Sequence, residues 1–446
     1  MLQRYPREGE MLRRLLIGGA SVMLGLVAGL LLIEGAVRTF GLFRFPNETF
    51  VQPHPELGWS HIPNKEGYWH IGEDRVFVRI NSKGLRDREL SYEKRPNTFR
   101  ILVLGDSFVE GMQVPLEETF AKRLESKLNE SGMTFEVINA GFAGVGTDYG
   151  LLFLRKEGYK YHPDLVLLGF FAGNDVQDNF RSREILRHGQ TGLAYEKRGI
   201  MVTLRQFLAA HSCAYNYLGL ALPTWTPQFG KILMNLGLLS AQPAGDPGTE
   251  AARPWLVFAK SYPADLKEAW AVTHFLMSAL AEEAEVHGSE LAVFSIPSRE
   301  QVYSHLWEGL ISRPTFKQIE WDLEKPDRIL LGLTHECGIP FFSLLPAFRE
   351  KAKTDRLYYG EDGHWNSKGN QLAAELVFDW LVQEALVPWP TELLKDDPRK
   401  APCKGAATRS LLHNLGKSET RLCKGLTKGQ SSIQESLVGA STAFER

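Results

Sequence analysis

Residues 99–111, FRILVLGDSFVEG, hold the key to this chain. Residues 101–104 form a continuous apolar run, the pattern of a strand buried on both faces. The run breaks at Gly105-Asp106-Ser107. All three are turn residues, so the triplet alone reads as a turn. It also reads as a serine presented at a strand's carboxyl end, where open α/β sheets bind their ligands.

Further apolar runs fall at 135–139, 164–170, 290–296 and 339–343. Helical stretches lie between or after them, at 116–130, 147–158, 265–287, 317–337 and 367–385. Leu116, Phe120, Leu124 and Leu128 keep the spacing of one apolar helix face. Short apolar runs alternating with helices predict parallel strands joined by crossovers, hence an α/β sandwich over residues 98–390.

The flanks differ in kind. Residues 15–33 carry no charge, close to the ~20 residues that cross a bilayer. Arg4, Arg7, Arg13 and Arg14 precede the run, and Glu34 and Arg38 come after it. The basic excess on the N-terminal side puts residues 1–14 in the cytoplasm and the bulk of the chain outside. Residues 15–36 are therefore expected to be a single-pass anchor holding an extracytoplasmic domain, periplasmic or at the cell surface. A cleaved signal peptide is the rival reading, but the run is long for one and no small-x-small site comes closely after it. Residues 41–97 read as a small strand-rich prelude, with VFVRI (76–80) alternating like a strand and NSKG (81–84) as its turn. Residues 178–260 interrupt the domain, with a helix expected at 202–221. A segment of this length reads as a lid or substrate wall, a plain insertion, or an interfacial surface near the membrane. The tail, 398–446, is rich in Lys, Ser and Gly and is expected to be disordered.

Composition narrows the function. The chain has 446 residues, 43% hydrophobic and 23% charged, with a net charge of -2. This fits a folded globular protein and offers no basic footprint for nucleic acid. Cys213, Cys337, Cys403 and Cys423 are too scattered for a disulfide framework or a zinc site. No HExxH or clustered Cys/His spacing occurs, so no metal and no cofactor is expected.

The segments just past the apolar runs carry the chemistry. After the first run comes Ser107; after the second, NAGFAGVGT (139–147); after the third, FFAGND with Asn174; after the last, YYGEDGHWNSKG with Asp362 and His364. These residue types make an acyl-transfer set. A serine hydroxyl needs an adjacent base to become a nucleophile. His364 titrates near neutrality and can take its proton. Asp362 can hold the imidazole in one tautomer. The Ser107 backbone N–H, the Gly144 backbone N–H and the Asn174 side-chain amide can stabilise an oxyanion. Asp106 reads as a loop-bonding residue, Gly141 and Gly146 as turn glycines, and His162 as a surface loop residue. Trp365 reads either as a packing partner of His364 or as a pocket wall.

The ordered blocks GDSF (105–108), INAGFAG (138–144), GND (173–175) and DGHWN (362–366) resemble the SGNH (GDSL) hydrolase family over residues 98–385. The resemblance implies a three-layer sandwich with a five-stranded parallel sheet and no metal. It implies esterase, lipase, thioesterase or O-acetyltransferase chemistry, with Ser107, Gly144, Asn174 and His364 in the same roles. The commoner family spacing puts the acid three residues before the histidine, where Glu361 stands. Asp362, two before, is favoured because its DxH form looks like that of polysaccharide-acetylating relatives. NSKGLRDREL (81–90) is similar to membrane-anchored bacterial members.

The resulting expectation is a membrane-anchored serine esterase acting on acyl esters, acetyl esters of glycans favoured. An O-acetyltransferase would share the same acyl-serine, pass the acetyl group to a sugar hydroxyl, and leave room for a membrane-bound acyl-donor partner. A catalytically silent glycan-binding protein is the third reading.

Overall fold

The computed structural model describes residues 8–41, 49–72, 74–181 and 253–390, and between the last two 208, 212–215, 217, 218, 226 and 228; not every side chain of the N-terminal helix is among them. The chain divides into two compact units, Met1–Thr49 with Glu196–Ala244, and Phe50–Tyr195 with Gly245–Arg446.

The first unit is built on helix α1, Glu8–Thr39. Leu24 and Leu32 on it are 72% and 75% exposed. Among the described residues no helix is long and apolar enough to cross a membrane. Near its end Glu34 accepts hydrogen bonds from Ser212 Oγ (2.7 Å) and from the backbone N–H groups of Cys213 (3.0 Å) and Ala214 (2.9 Å). Most of the lid or wall expected at 178–260, including most of the helix expected at 202–221, lies outside the described residues, and so does the tail.

The second unit contains a five-stranded parallel sheet. Its strands are β5 (Thr98–Gly105), β6 (Thr134–Gly141), β7 (Leu165–Phe170), β8 (Glu290–Ser295) and β9 (Phe341–Ser343), and their spatial order is β6-β5-β7-β8-β9. β6 and β7 flank β5 on opposite sides, so the strand order reverses at β5. That reversal opens a crevice at the strands' carboxyl ends.

Alternation along β5 explains the two faces. Leu102 and Leu104 pack with Ile138, Val166 and Leu168 under α4 (Thr147–Lys156) and the Ala264–Val286 helix, which contributes Trp270, Met277 and Leu280. Ile101 and Val103 face the other way, with Val137, Leu165 and Leu167, under α3 (Phe120–Asn129) and the Ser367–Gln383 helix. A two-residue period with both faces covered is why these strands read as unbroken apolar runs.

Two helix boundaries differ from expectation. The helix placed at 116–130 begins at Phe120; Leu116–Glu118 is a 3₁₀ turn, and the Thr119 side chain caps α3 by accepting from the Lys122 N–H. A Thr in that role starts a helix cleanly. The helix placed at 317–337 spans Lys325–Glu336, with Pro326 in its first turn, a position where proline is tolerated.

The prelude forms two antiparallel pairs, β1 (Val51–His54) with β2 (Gly58–His61), and β3 (Glu66–Ile71) with β4 (Asp74–Arg79). It belongs to the same compact unit as the sheet, and buried charges join the two. Arg100 on β5 donates to Glu136 and to the carbonyls of Ser91, Tyr92, Glu93 and Tyr161, which uses all five guanidinium N–H groups. Asp87 pairs with Lys122 at 2.7 Å and accepts from the Asn139 N–H at 2.8 Å. Arg86, 2% exposed, donates to the carbonyls of Glu110 (3.0 Å), Gly111 (2.6 Å) and Val114 (2.5 Å). Burial lowers its pKa to about 10, against the raising effect of Glu110 and Asp87.

Arg86→Ala is expected to leave the Val114 carbonyl without a donor, and to leave the Glu110 and Gly111 carbonyls with only Asn139 Nδ2 and the Val114 N–H, at a cost of about 3 kcal/mol of stability. A urea titration measures it; an unchanged midpoint would show that water replaces the guanidinium without loss.

Candidate active site

Ser107 opens α2, the single turn Ser107–Glu110 just past β5. Asp106 caps that turn, its Oδ1 accepting from the Phe108 N–H at 2.9 Å. The turn is packed against glycines with no room for a side chain. A Cβ on Gly105 would lie 2.5 Å from Val109 Cγ2, and one on Gly141 would lie 2.2 Å from the Glu110 nitrogen. Gly141 is thus a close-approach glycine, while Gly146 serves as the N-cap of α4.

His364 meets the serine from the far end of the chain. Its Nε2 lies 2.7 Å from Ser107 Oγ. Its Nδ1 bonds Asp362 Oδ1, and the same oxygen accepts the His364 backbone N–H at 3.0 Å. With Nδ1 holding the proton toward the carboxylate, Nε2 is left to accept from the hydroxyl. The Phe108 ring packs on the imidazole at 4.8 Å between centroids. Trp365 is 2% exposed and packs against Phe108 and Phe348, so it supports the turn from the core and is no pocket wall. Asn366 caps the final helix by accepting from the Gly369 N–H at 3.0 Å, which anchors the whole DGHWN block.

The two acids separate by geometry. Asp362 is the partner of His364 and also receives Gln113 Nε2 at 3.4 Å. Glu361 turns outward to the β3–β4 turn, where a Cβ on Gly72 would lie 3.1 Å from its Oε2.

Of the expected oxyanion donors, Ser107 stands at the start of α2 and Gly144 in the loop after β6. Gly144 is exposed, with φ +73° and no atom within 4 Å of a built Cβ. Glycine is therefore required by its left-handed backbone rather than by crowding. Asn174 lies beyond β7, close enough to Asp106 to lower its pKa. Asp175 accepts the Phe171 N–H at 3.0 Å and so fixes the loop. His162 is an exposed loop residue, and Ser298 caps the short Arg299–Val302 helix.

The electrostatics stem from burial and neighbours. Burial pulls the His364 pKa down, but the Asp362 hydrogen bond and charge, with Asp106 and Glu110 beyond, outweigh it and raise it above the ordinary value. Burial pushes Asp362 up, and the hydrogen bonds and charge of His364 win and hold it low. Asp106 is pushed up to about 7, chiefly by burial, with the Phe108 N–H, His364 and Asn174 opposing. Asp175 is raised well above its usual range, first by burial and then by Asp106.

A general base must be neutral to act, so a mechanism in which His364 is the base requires it unprotonated. Because its pKa stands above the ordinary value near 6.5, kcat/KM is expected to be low in acid and to rise through a point above pH 6.5. A pH profile checks this; an acidic limb centred below that value would contradict it.

Several supporting residues carry no local sequence signal. Gln113, reached only through the tertiary fold, touches Asp362, and the Tyr359 hydroxyl donates to the Gln113 carbonyl at 3.1 Å. His61 of the prelude reaches Glu110 at 2.6 Å through Nε2 and the Gly84 carbonyl at 3.0 Å through Nδ1. A carbonyl only accepts, so Nδ1 donates there and fixes the orientation of the ring toward Glu110. Glu110 ends the turn that Ser107 opens, so His61 and Arg86 together hold α2 from the prelude side.

No protein-family model matches the chain. An arylesterase of Vibrio mimicus is 36% identical over 78 residues, which is 18% of this chain and 39% of that protein, so the match spans well under half of that relative. Among solved structures, TesA is similar with a TM-score of 0.33 and 14% identity, covering 63% of this chain and 97% of that one. The acetyl xylan esterase AlAXEase has a TM-score of 0.34 and 12% identity, covering 64% and 100%. The esterase EstA from Pseudoalteromonas sp. has a TM-score of 0.32 and 15% identity, covering 65% and 100%.

Proposed function

We propose that this chain is a serine ester hydrolase of the SGNH type, acting on acyl esters through an acyl-serine intermediate. The reading rests on the relay itself: Ser107 Oγ 2.7 Å from His364 Nε2, and His364 Nδ1 on Asp362, at the carboxyl end of β5. In that arrangement the Ser107 proton passes to His364 Nε2 as Oγ attacks the ester carbonyl. Asp362 stabilises the imidazolium that forms. The Ser107 and Gly144 N–H groups and the Asn174 amide receive the oxyanion. Collapse returns the proton from His364 to the leaving alcohol. Water then repeats the cycle on the acyl-serine and releases the acid.

Acetyl esters of glycans are the favoured substrates. An O-acetyltransferase is the second reading, favoured by the DxH placement of Asp362; there a sugar hydroxyl replaces water and a membrane-bound partner supplies the acyl group. A silent glycan-binding protein has no need of a serine hydrogen-bonded to an imidazole. We read residues 15–36, within α1, as the single-pass anchor, a reading supported by the uncharged run at 15–33 and by exposed leucines there.

The test incubates the full chain with 4-nitrophenyl acetate, alone and with glycan acceptors, and monitors free acetate and acetylated sugar by mass spectrometry. Free acetate that requires Ser107 supports the hydrolase. Acetylated sugar with little free acetate moves the reading to the transferase, and no Ser107-dependent product from any ester would overturn both.

A further inference from the structure

Resting on the esterase reading, we propose that a cavity beside the His364 turn binds a carboxylate-bearing sugar residue in the alcohol portion of the ester. The cavity has a volume of about 300 Å³, at the small end of the range for ligand sites and suited to one sugar ring. Arg299, Tyr303, His305, Arg356 and Tyr359 line it.

Its wall and the catalytic turn share one segment. The Tyr359 N–H donates to the His364 carbonyl at 2.9 Å, and the Gly363 N–H donates to the Tyr359 carbonyl at 3.3 Å. Arg299 Nη1 donates to the Gly360 carbonyl at 2.5 Å. The Arg299 side chain also runs along Gly363, with Nε 3.6 Å from where a Cβ would sit. The cavity wall and the turn that carries His364 are thus one hydrogen-bonded segment.

Charge sets the cavity apart. No carboxylate lines it. Two other cavities among the described residues mix the signs: one sets Lys83 and Lys156 against Glu56 and Glu157, the other Arg88 and Arg95 against Glu89 and Glu93. Arg299 is partly answered by Glu300 at 2.9 Å. Arg356 is exposed, donates through Nε to the Tyr358 carbonyl at 3.2 Å, and forms no ion pair among the described residues. A guanidinium with an open fork matches a carboxylate in a bidentate pair, more selectively than it matches a neutral hydroxyl. Tyr303, His305 and Tyr359 supply ring surface around it.

The wall is stiff enough to be a preformed site. The Tyr303 hydroxyl accepts the Leu357 N–H at 2.8 Å, and the Tyr358 hydroxyl donates to the Pro297 carbonyl at 2.7 Å.

The test titrates the full chain carrying Ser107→Ala with a galacturonic acid trimer and with neutral cellotriose, by calorimetry. The acidic trimer is expected to bind about tenfold more tightly, and Arg356→Gln is expected to bring the two affinities together. Arg356→Lys is expected to recover part of the difference, because it keeps the charge and loses the fork. Equal binding of the two trimers, or a preference that survives both Arg356→Gln and Arg299→Gln, would overturn the proposal. No turnover is needed, so this failure is distinct from failure of the esterase reading, which shows as absence of Ser107-dependent ester cleavage.

Discussion

Ser107→Ala is expected to lower kcat/KM for 4-nitrophenyl acetate on the order of 10⁴- to 10⁶-fold, with the melting temperature nearly unchanged. The hydroxyl bonds His364 Nε2. The turn that presents it is held by other groups: the Asp106 cap, the Gly105 and Gly141 contacts, and the Arg86 bonds to the carbonyls at its end. Removing one oxygen therefore removes the chemistry and leaves the scaffold. Whatever rate remains reflects the oxyanion donors and binding alone. A variant that retains a tenth of wild-type activity would mean that water, activated by His364 directly, attacks the ester. That outcome would end the acyl-serine mechanism while leaving the fold description intact.

The second large effect separates the two acids before the histidine. Asp362→Asn is expected to cost about 10³- to 10⁴-fold in kcat. The amide keeps the shape, but it can donate to Nδ1 and so favour the tautomer with the proton on Nε2, where it cannot accept from Ser107. Glu361→Gln is expected to stay within about twofold, because Glu361 is exposed and faces the Gly72 turn rather than the imidazole. The pair of variants is measured on the same substrate at a pH above the His364 midpoint. The reverse order of effects would place the acid at Glu361 and require the turn to rearrange when substrate binds.

Much of the architecture is local and therefore readable. In β5 the residues of alternate parity, Ile101 and Val103 against Leu102 and Leu104, face two different buried layers. Each layer demands apolar side chains, so the run is unbroken and marks a parallel strand covered on both sides. The strand order reverses at β5, where the serine stands, as the ligand rule for such sheets requires. Helix starts obeyed the same logic, except where a cap or a proline moved the boundary. Thr119 starts α3 four residues later than the apolar spacing of Leu116 suggested, because hydrophobic period does not say which turn is α-helical.

The parts of the site are legible in the chain alone: Ser107, Gly144, Asn174 and His364 at the ends of apolar runs, and a DGHWN block whose Asn366 caps the next helix. Their residue types limit the chemistry before any distance is known. Which parts meet is a matter of folding. Ser107 and His364 are 257 positions apart in the chain, and no periodicity reports a contact across that span. Asp362 and Glu361 are neighbours of the same charge, and only the direction of their side chains separates them. Gln113 and Arg86 on loops, and His61 at the end of β2, act through contacts set by buried charges finding partners rather than by propensity. The same holds for Arg299 and Arg356, which become one cationic cavity only when the segments before and after β9 are brought together beside the catalytic turn.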